Sequence, residues 1–351
     1  MFIPAGLTLG EDGSLYVADR GNHRVRQILI DPVQGKARSI RTVAGNGFQG
    51  ILPGVNPAAG TSLSQPISLA AATGGLFIVE REGPEGQEVG SIRFLDQETG
   101  LIGDILERPP ELPSAVALQA GSLFLSDEGT GEVLKVVLPA SDLLVLGTGP
   151  VERLATLDRP GALALLPQSG SQTIFVAELG SGLVRVLRDG TLQVAPFAGG
   201  GTLRPAQDRE LILQDGSPVK VRLGEPRGLA ASSAHLFISD GGDANVEDDD
   251  AVLAIDLASS KVVNVITGLS FPTGLAVDGA GILYVSESGT DAPREGPPGN
   301  RVVKIVDPHL PAQATLESFA ANNALKEVSQ NLAGVRNILD TLKVSQKNEE
   351  G

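Results

Sequence analysis

One five-residue pattern recurs six times along the chain: an aliphatic residue, an aromatic residue, an aliphatic residue, a small residue and an acid. It reads LYVAD at 15–19, LFIVE at 76–80, LFLSD at 123–127, IFVAE at 174–178, LFISD at 236–240 and LYVSE at 283–287. The closing acids lie 61, 47, 51, 62 and 47 residues apart. A unit of this length, repeated six times, restricts the chain to a repeat architecture whose units stack on their neighbours.

Two further landmarks share the period. Pro4, Pro66, Pro113, Pro160, Pro226 and Pro272 precede the acids by 14 to 18 residues. Two positions after each proline the residue is small (Gly6, Ser68, Ala115, Ala162, Gly228, Gly274), and the next is aliphatic (Leu7, Leu69, Val116, Leu163, Leu229, Leu275). After each acid comes a short apolar-rich stretch: 24–28, 91–95, 132–136, 183–187, 251–255 and 301–305. Weaker fourth stretches, such as 41–44 and 262–266, complete most units. About four short strands in each unit predict an all-β, six-bladed β-propeller with four-stranded blades over residues 1–320. Small residues on each innermost strand let the blades approach. Their aliphatic neighbours, pointing the other way, pack between blades.

The run Gly21-Asn22-His23-Arg24-Val25-Arg26 after LYVAD resembles the motif that names the NHL repeat. The segments 42–47, 56–58 and 63–66 resemble the long inter-blade loop of bacterial and teneurin-like NHL propellers. The resemblance spans about residues 1–310 and is strongest in blades one and six. Only blade one carries the Asn-His-Arg triplet. It implies a six-bladed propeller used mostly to bind protein, RNA or other ligands, and no single activity.

Composition narrows the partners. Against 27 Lys and Arg stand 42 Asp and Glu, a formal charge of −15, which argues against nucleic acid or an anionic membrane surface as partner. Trp is absent and aromatics are 3%, so a carbohydrate-stacking surface is poorly supported. The absence of Cys excludes disulfides, a thiol nucleophile and thiolate metal sites. No apolar stretch reaches the roughly 18–20 residues that span a bilayer. No leader is visible at the N-terminus, which suits a cytoplasmic protein, a mature form or an extracytoplasmic fragment alike.

The six acids read as structural, each capping the turn after its strand by accepting backbone N–H groups. Asp19 is expected to pair with Arg24 across its hairpin, and Glu287 with Arg301. Function is expected where the repeat is broken. The long connections (45–65, 81–90, 199–225, 241–250 and 288–300) belong to one face, the predicted working face for a protein partner or small ligand. The sharpest feature there is the acidic loop at 240–250. Asp243, Asn245, Glu247 and Asp249 alternate as oxygen ligands for Ca²⁺ often do, but the spacing lacks the glycine and closing glutamate of an EF-hand. A solvated acidic loop is the competing reading.

Two enzyme classes share the fold. Gluconolactonase-like and regucalcin-like hydrolases hold a metal in the channel through Glu, Asn and Asp. The matching positions, one after each blade proline, are Ala5, Ile67, Ser114, Gly161, Arg227 and Thr273, none of which supplies a carboxylate or amide. Peptidyl-hydroxyglycine lyases need histidine ligands for zinc. Only His23, His235 and His309 are present, with His23 expected on the long-loop face and the others at turns opposite. No catalytic residue is therefore assigned, and a non-catalytic binding scaffold is the expectation, with a metal-dependent lactonase-like hydrolase or lyase as the alternative. Residues 321–351 are read as a C-terminal amphipathic helix and tail. Leu325, Val328, Leu332, Val335, Leu339 and Leu342 are spaced 3, 4, 3, 4, 3. Three heptads are too few to stand alone. The stripe is expected to pack on the propeller, on a second subunit or on a neighbouring domain.

Overall fold

The computed structural model describes residues 1–82, 89–106, 110–139, 144, 151–167, 172–193, 195–241, 250–289, 300–309 and 315–320. They form a six-bladed β-propeller, each blade an antiparallel sheet of consecutive strands. Blade 1 comprises Pro4–Leu9, Leu15–Asp19, Arg24–Ile30 and Ala37–Ala44. Blade 2 comprises Pro66–Ala72, Gly75–Glu82, Val89–Asp96 and Leu101–Asp104; blade 3, Pro113–Gln119, Ser122–Asp127, Glu132–Val137 and Val151–Thr156. Blade 4 has Pro160–Leu165, Thr173–Glu178, Leu183–Arg188 and a short outer strand, Thr191–Leu192. Blade 5 has Pro226–Ala231, His235–Asp240, Ala251–Asp256 and Lys261–Ile266; blade 6, Pro272–Val277, Leu283–Glu287, Arg301–Val306 and Thr315–Ala320. The repeated pentapeptide is thus the second strand of every blade. Its first three residues are apolar in every blade because a middle strand is covered on both faces by neighbouring blades.

Strand alternation divides those side chains between two seams. Leu15 and Val17 pack with Ala276, Tyr284 and Val302 of blade 6, whereas Tyr16 and Ala18 pack with Leu69, Leu76 and Ile78 of blade 2. Six such apolar seams run around the ring, one per blade junction. Each fully buried Leu, Ile or Phe contributes about 1.5–3 kcal/mol to its seam. The aliphatic residue three positions after each proline joins a seam, as expected: Leu7, Leu69, Val116, Leu163, Leu229 and Leu275.

The innermost strands approach so closely that some positions admit only hydrogen. A Cβ on Gly228 would lie 1.9 Å from the Thr273 carbonyl oxygen, and one on Gly274 would lie 2.2 Å from that of Ala5. No N-terminal strand joins the last blade. The ring closes through its sixth seam and hydrogen bonds that include Ile3 N–H to Asn300 Oδ1 (2.6 Å), Thr273 Oγ1 to the Pro4 carbonyl (3.0 Å), Ser286 Oγ to the Ala5 carbonyl (2.5 Å) and Lys304 Nζ to the Gly35 carbonyl (3.2 Å).

Two long connections are more ordered than loop composition suggests. Within 45–65, Asn56–Pro57 adds a fifth strand to blade 2, and Ala58 and Leu63 are buried in the seam between blades 1 and 2. Within 199–225 sits a helix, Arg209–Asp215, whose Ile212 is buried between blades 4 and 5 with Val221 and Leu223. Seven residues are too few to leave a helical period in the sequence. The expected C-terminal helix, and the acidic-loop ligands Asp243, Asn245, Glu247 and Asp249, lie outside the described residues. Among the described residues no helix is long and apolar enough to cross a membrane.

We predict that Gly274→Ala destabilises the fold by about 1–3 kcal/mol, as overpacking does. Gly279→Ala, where nothing lies within 4 Å of the added carbon, is the matched control and leaves the thermal midpoint nearly unchanged.

Candidate functional site: the arginine-lined channel mouth

The first two strands of each blade create the mouth of the channel by one repeated device. Every blade proline pairs in register with the acid of its own blade: Pro4 with Asp19, Pro66 with Glu80, Pro113 with Asp127, Pro160 with Glu178, Pro226 with Asp240 and Pro272 with Glu287. Proline tolerates this place because the first residue of a strand owes no N–H to the ladder. Immediately afterwards the register slips in all six blades. A bulge re-aims the side chains beside it. Ala5, Ile67, Ser114, Gly161, Arg227 and Thr273 line the channel there.

The acids themselves are buried and face away from ligand chemistry. Each accepts the backbone N–H of the residue two before its proline: Phe2 to Asp19 (2.7 Å), Ser64 to Glu80 (2.7 Å), Glu111 to Asp127 (3.0 Å), Asp158 to Glu178 (3.2 Å), Gly224 to Asp240 (3.1 Å) and Ser270 to Glu287 (2.7 Å). The principal contact is therefore to the loop entering the blade. Caps on the following turn occur too, as when Asp127 accepts from Gly129 N–H and Thr130 Oγ1. Glu287 pairs with Arg301 as expected. Asp19 does not pair with Arg24. Arg26, two residues further along the same face, reaches back to Asp19 at 2.9 Å, while Arg24 turns outward to the Asn46 carbonyl at 3.1 Å. Arg93 and Arg185 stand in the same relation to Glu80 and Glu178, at 3.6 and 3.8 Å. Glu80 has no exposure, and burial pushes its carboxyl up to about 7 against the pull of Arg93.

The Asn-His-Arg triplet is likewise structural. Asn22 donates to Asp19 (2.9 Å), and His23 Nδ1 accepts the Gln65 N–H of the incoming blade 2 loop (3.2 Å). Acceptance requires that nitrogen to be unprotonated. Burial, aided by the charge of Arg24, lowers the imidazole below its ordinary range and maintains that state. His235 and His309 meet at the junction of blades 5 and 6 as stacked rings, centroids 4.7 Å apart. Their sequence separation had concealed that meeting.

The charged groups at the mouth sit one residue from the repeat landmarks. Arg20, Arg81 and Glu128 each follow the acid in blades 1, 2 and 3; Arg227 follows the proline in blade 5; Arg159 and Glu225 precede the prolines of blades 4 and 5. Together these residues line the channel mouth, a cavity of about 190 Å³, and the recess beside it. Arg81 donates to Glu128 (2.5 Å), to Ser114 Oγ (2.7 Å) and to the Pro113 carbonyl (3.0 Å). Arg159 grips the other oxygen of Glu128. Although burial acts to raise the Glu128 carboxyl, Arg81 and Arg159 outweigh it and hold the group below the usual carboxylate range. Arg227 donates Nε to Glu225 (2.9 Å) and lies over the Phe271 ring, 4.6 Å from its centroid. Arg20 donates Nε and Nη2 to Gln65 Oε1 (3.1 and 2.9 Å). Among the described residues, no group of three or more His, Asp or Glu is placed to hold a metal ion.

From these data acidification should loosen the junction of blades 1 and 2. A lowered imidazole pKa means that stability is present above the ordinary value of 6.5 and is lost as pH falls through the folded value. Glu80, raised to about 7, stabilises the fold as pH falls over the same range, so the His23 contribution is read as a difference between variants. On going from about pH 7.5 to 5, the thermal midpoint of the parent should fall relative to that of His23→Asn, which keeps an acceptor but does not titrate. Identical pH dependence in parent and variant would remove His23 from this account.

Comparison with known proteins agrees with the geometry. The family model for the NHL repeat matches residues 3–28, the first two strands of blade 1 and most of the third. No curated protein sequence matches the chain. Among solved structures, a gluconolactonase from Xanthomonas campestris is similar over 81% of this chain and 82% of its own (18% identity, TM-score 0.54). The nidogen–laminin complex is similar over 87% and 96% (15% identity, TM-score 0.55). Virginiamycin B lyase from Staphylococcus aureus is similar over 92% and 86% (10% identity, TM-score 0.51). At such identities the likeness is one of fold. The chain is a six-bladed β-propeller whose first blade carries an NHL repeat.

Proposed function

We propose that the protein is a non-catalytic binding module that receives a small ligand or an element of a protein partner at the channel mouth on its long-loop face. One observation carries this reading. The charged groups lining the mouth are guanidiniums and ion-paired carboxylates, which hold and orient a ligand. A guanidinium stays protonated throughout the useful pH range. Glu128 is held ionised between two arginines, and Glu225 is paired with Arg227. General acid–base catalysis needs a group poised near the working pH, and metal-assisted hydrolysis needs a convergent donor set. The six bulge positions supply one hydroxyl each from Ser114 and Thr273, one guanidinium, and otherwise no polar side chain.

Ca²⁺ bound by Asp243, Asn245, Glu247 and Asp249 would add a second, peripheral element to the same face, and the amphipathic stripe of residues 325–342 a contact to a subunit or domain. Both remain proposals drawn from the sequence.

Incubation with aldonolactones and Ca²⁺ or Zn²⁺ is expected to give no hydrolysis above the uncatalysed rate. A small-molecule screen read by NMR shift perturbation should place bound compounds against Ser114, Thr273 and the mouth arginines. Metal-dependent lactone turnover would overturn the reading in favour of the lactonase-like alternative.

A further inference from the structure

We infer that the group recognised at the mouth is an oxyanion, a carboxylate or a phosphate, presented on the channel axis. The inference rests on the binding-module reading and adds the chemical class of the ligand. Four guanidiniums, Arg20, Arg81, Arg159 and Arg227, line the mouth and its recess against two carboxylates, Glu128 and Glu225. Among the described residues the surplus there is positive, in a chain whose formal charge is −15. The arginines come from blades 1, 2, 4 and 5, so they surround the axis instead of sharing one side of it.

The neighbours also orient the guanidiniums. Glu225 engages the Nε–Nη2 edge of Arg227 while Phe271 supports its flat face, which fixes the plane of the group. Gln65 engages the same edge of Arg20. Each guanidinium carries five N–H donors in a planar fork that matches a carboxylate or phosphate in bidentate fashion. Below the arginines the wall is Gly6, Ser68, Ala115, Ala162, Gly228 and Gly274, with no charge to compete. Such a low-dielectric funnel concentrates the field of the charges at its rim. A cation meets repulsion there. A neutral ligand leaves the surplus charge unused.

Isothermal titration of the whole chain with inorganic phosphate, succinate and an aspartate-rich decapeptide tests this directly. At least one probe should bind, and binding should weaken as salt is raised. Arg227→Gln and Arg20→Gln should each weaken it at least tenfold, about 1.4 kcal/mol. Arg38→Gln, on the outer strand of blade 1, should not change it, and circular dichroism of all three variants should match the parent. The probes separate the sources: tighter binding of the peptide identifies an acidic protein segment, tighter binding of phosphate or succinate a small metabolite. Anion binding that survives both mouth substitutions would overturn the proposal. So would a neutral compound bound at the mouth with no anion competing, which would leave the binding-module reading intact. If no probe and no screened compound binds, both fall together.

Discussion

The interaction on which the rest of the molecule depends is the hydrogen bond from a backbone N–H to the carboxylate that ends each second strand. A buried backbone donor without a partner costs free energy comparable to a lost hydrogen bond, and a buried unpaired carboxylate costs far more. Each blade lets one problem solve the other. The loop entering the blade brings an N–H two residues before its proline, and the strand-end acid accepts it. Asp127 and Asp240 also accept from the residue directly before the proline, Leu112 and Glu225. In the other four blades that residue is left-handed instead: Ile3, Gln65, Arg159 and Phe271 have φ between 42° and 52°. Three of these turn their N–H to the preceding blade, to Asn300, His23 and Asp250. The staple within a blade is thereby coupled to a clasp between blades.

The same arrangement decides where chemistry is allowed. Prolines, acids and the small inner-strand residues are committed to holding the ring, so changing them unsettles a blade. The residue just after the proline falls on a bulge, and in five blades the residue just after the acid stands beyond the end of its strand; in blade 2 the strand runs on and Arg81 pairs with Gly90. These positions differ between blades: Ala, Ile, Ser, Gly, Arg and Thr at the first, and Arg, Arg, Glu, Leu, Gly and Ser at the second. The mouth is assembled from that freedom.

Much of this was legible in the sequence. The pentapeptide, the prolines and the small-then-aliphatic pair placed the first two strands of all six blades, because every unit must repeat the contacts that let it stack. The fourth strands were weaker signals, because outer strands such as Ala37–Ala44 and Val151–Thr156 are largely exposed and carry no continuous apolar run. The helix Arg209–Asp215 was too short to show a period. The pairing of Asp19 with Arg24 failed because adjacency across a hairpin fixes the backbone partner, whereas a long side chain reaches the acid better from two residues away. Among the described residues the mouth itself is not built from the interiors of the long loops. Much of 45–65 and 199–225 is used in the seams, and the mouth charges lie a single residue from landmarks already in view. Aligning the six units on their acids brings Arg20, Arg81 and Glu128 into one column.

A positive mouth on a strongly acidic chain has a consequence for how it would work. At physiological ionic strength the Debye length is about 8 Å, so the net charge of the whole molecule is largely screened before a ligand comes close. Inside that distance the guanidiniums that line the mouth are the nearest charges an entering ligand meets. An anion is therefore weakly repelled from afar and held only once it enters. Long-range steering contributes little to capture, and selectivity rests on fit within the ring. The carboxylates at the mouth then have a definite role: Glu128 and Glu225 fix the arginines in place, so less side-chain entropy is lost when a ligand arrives.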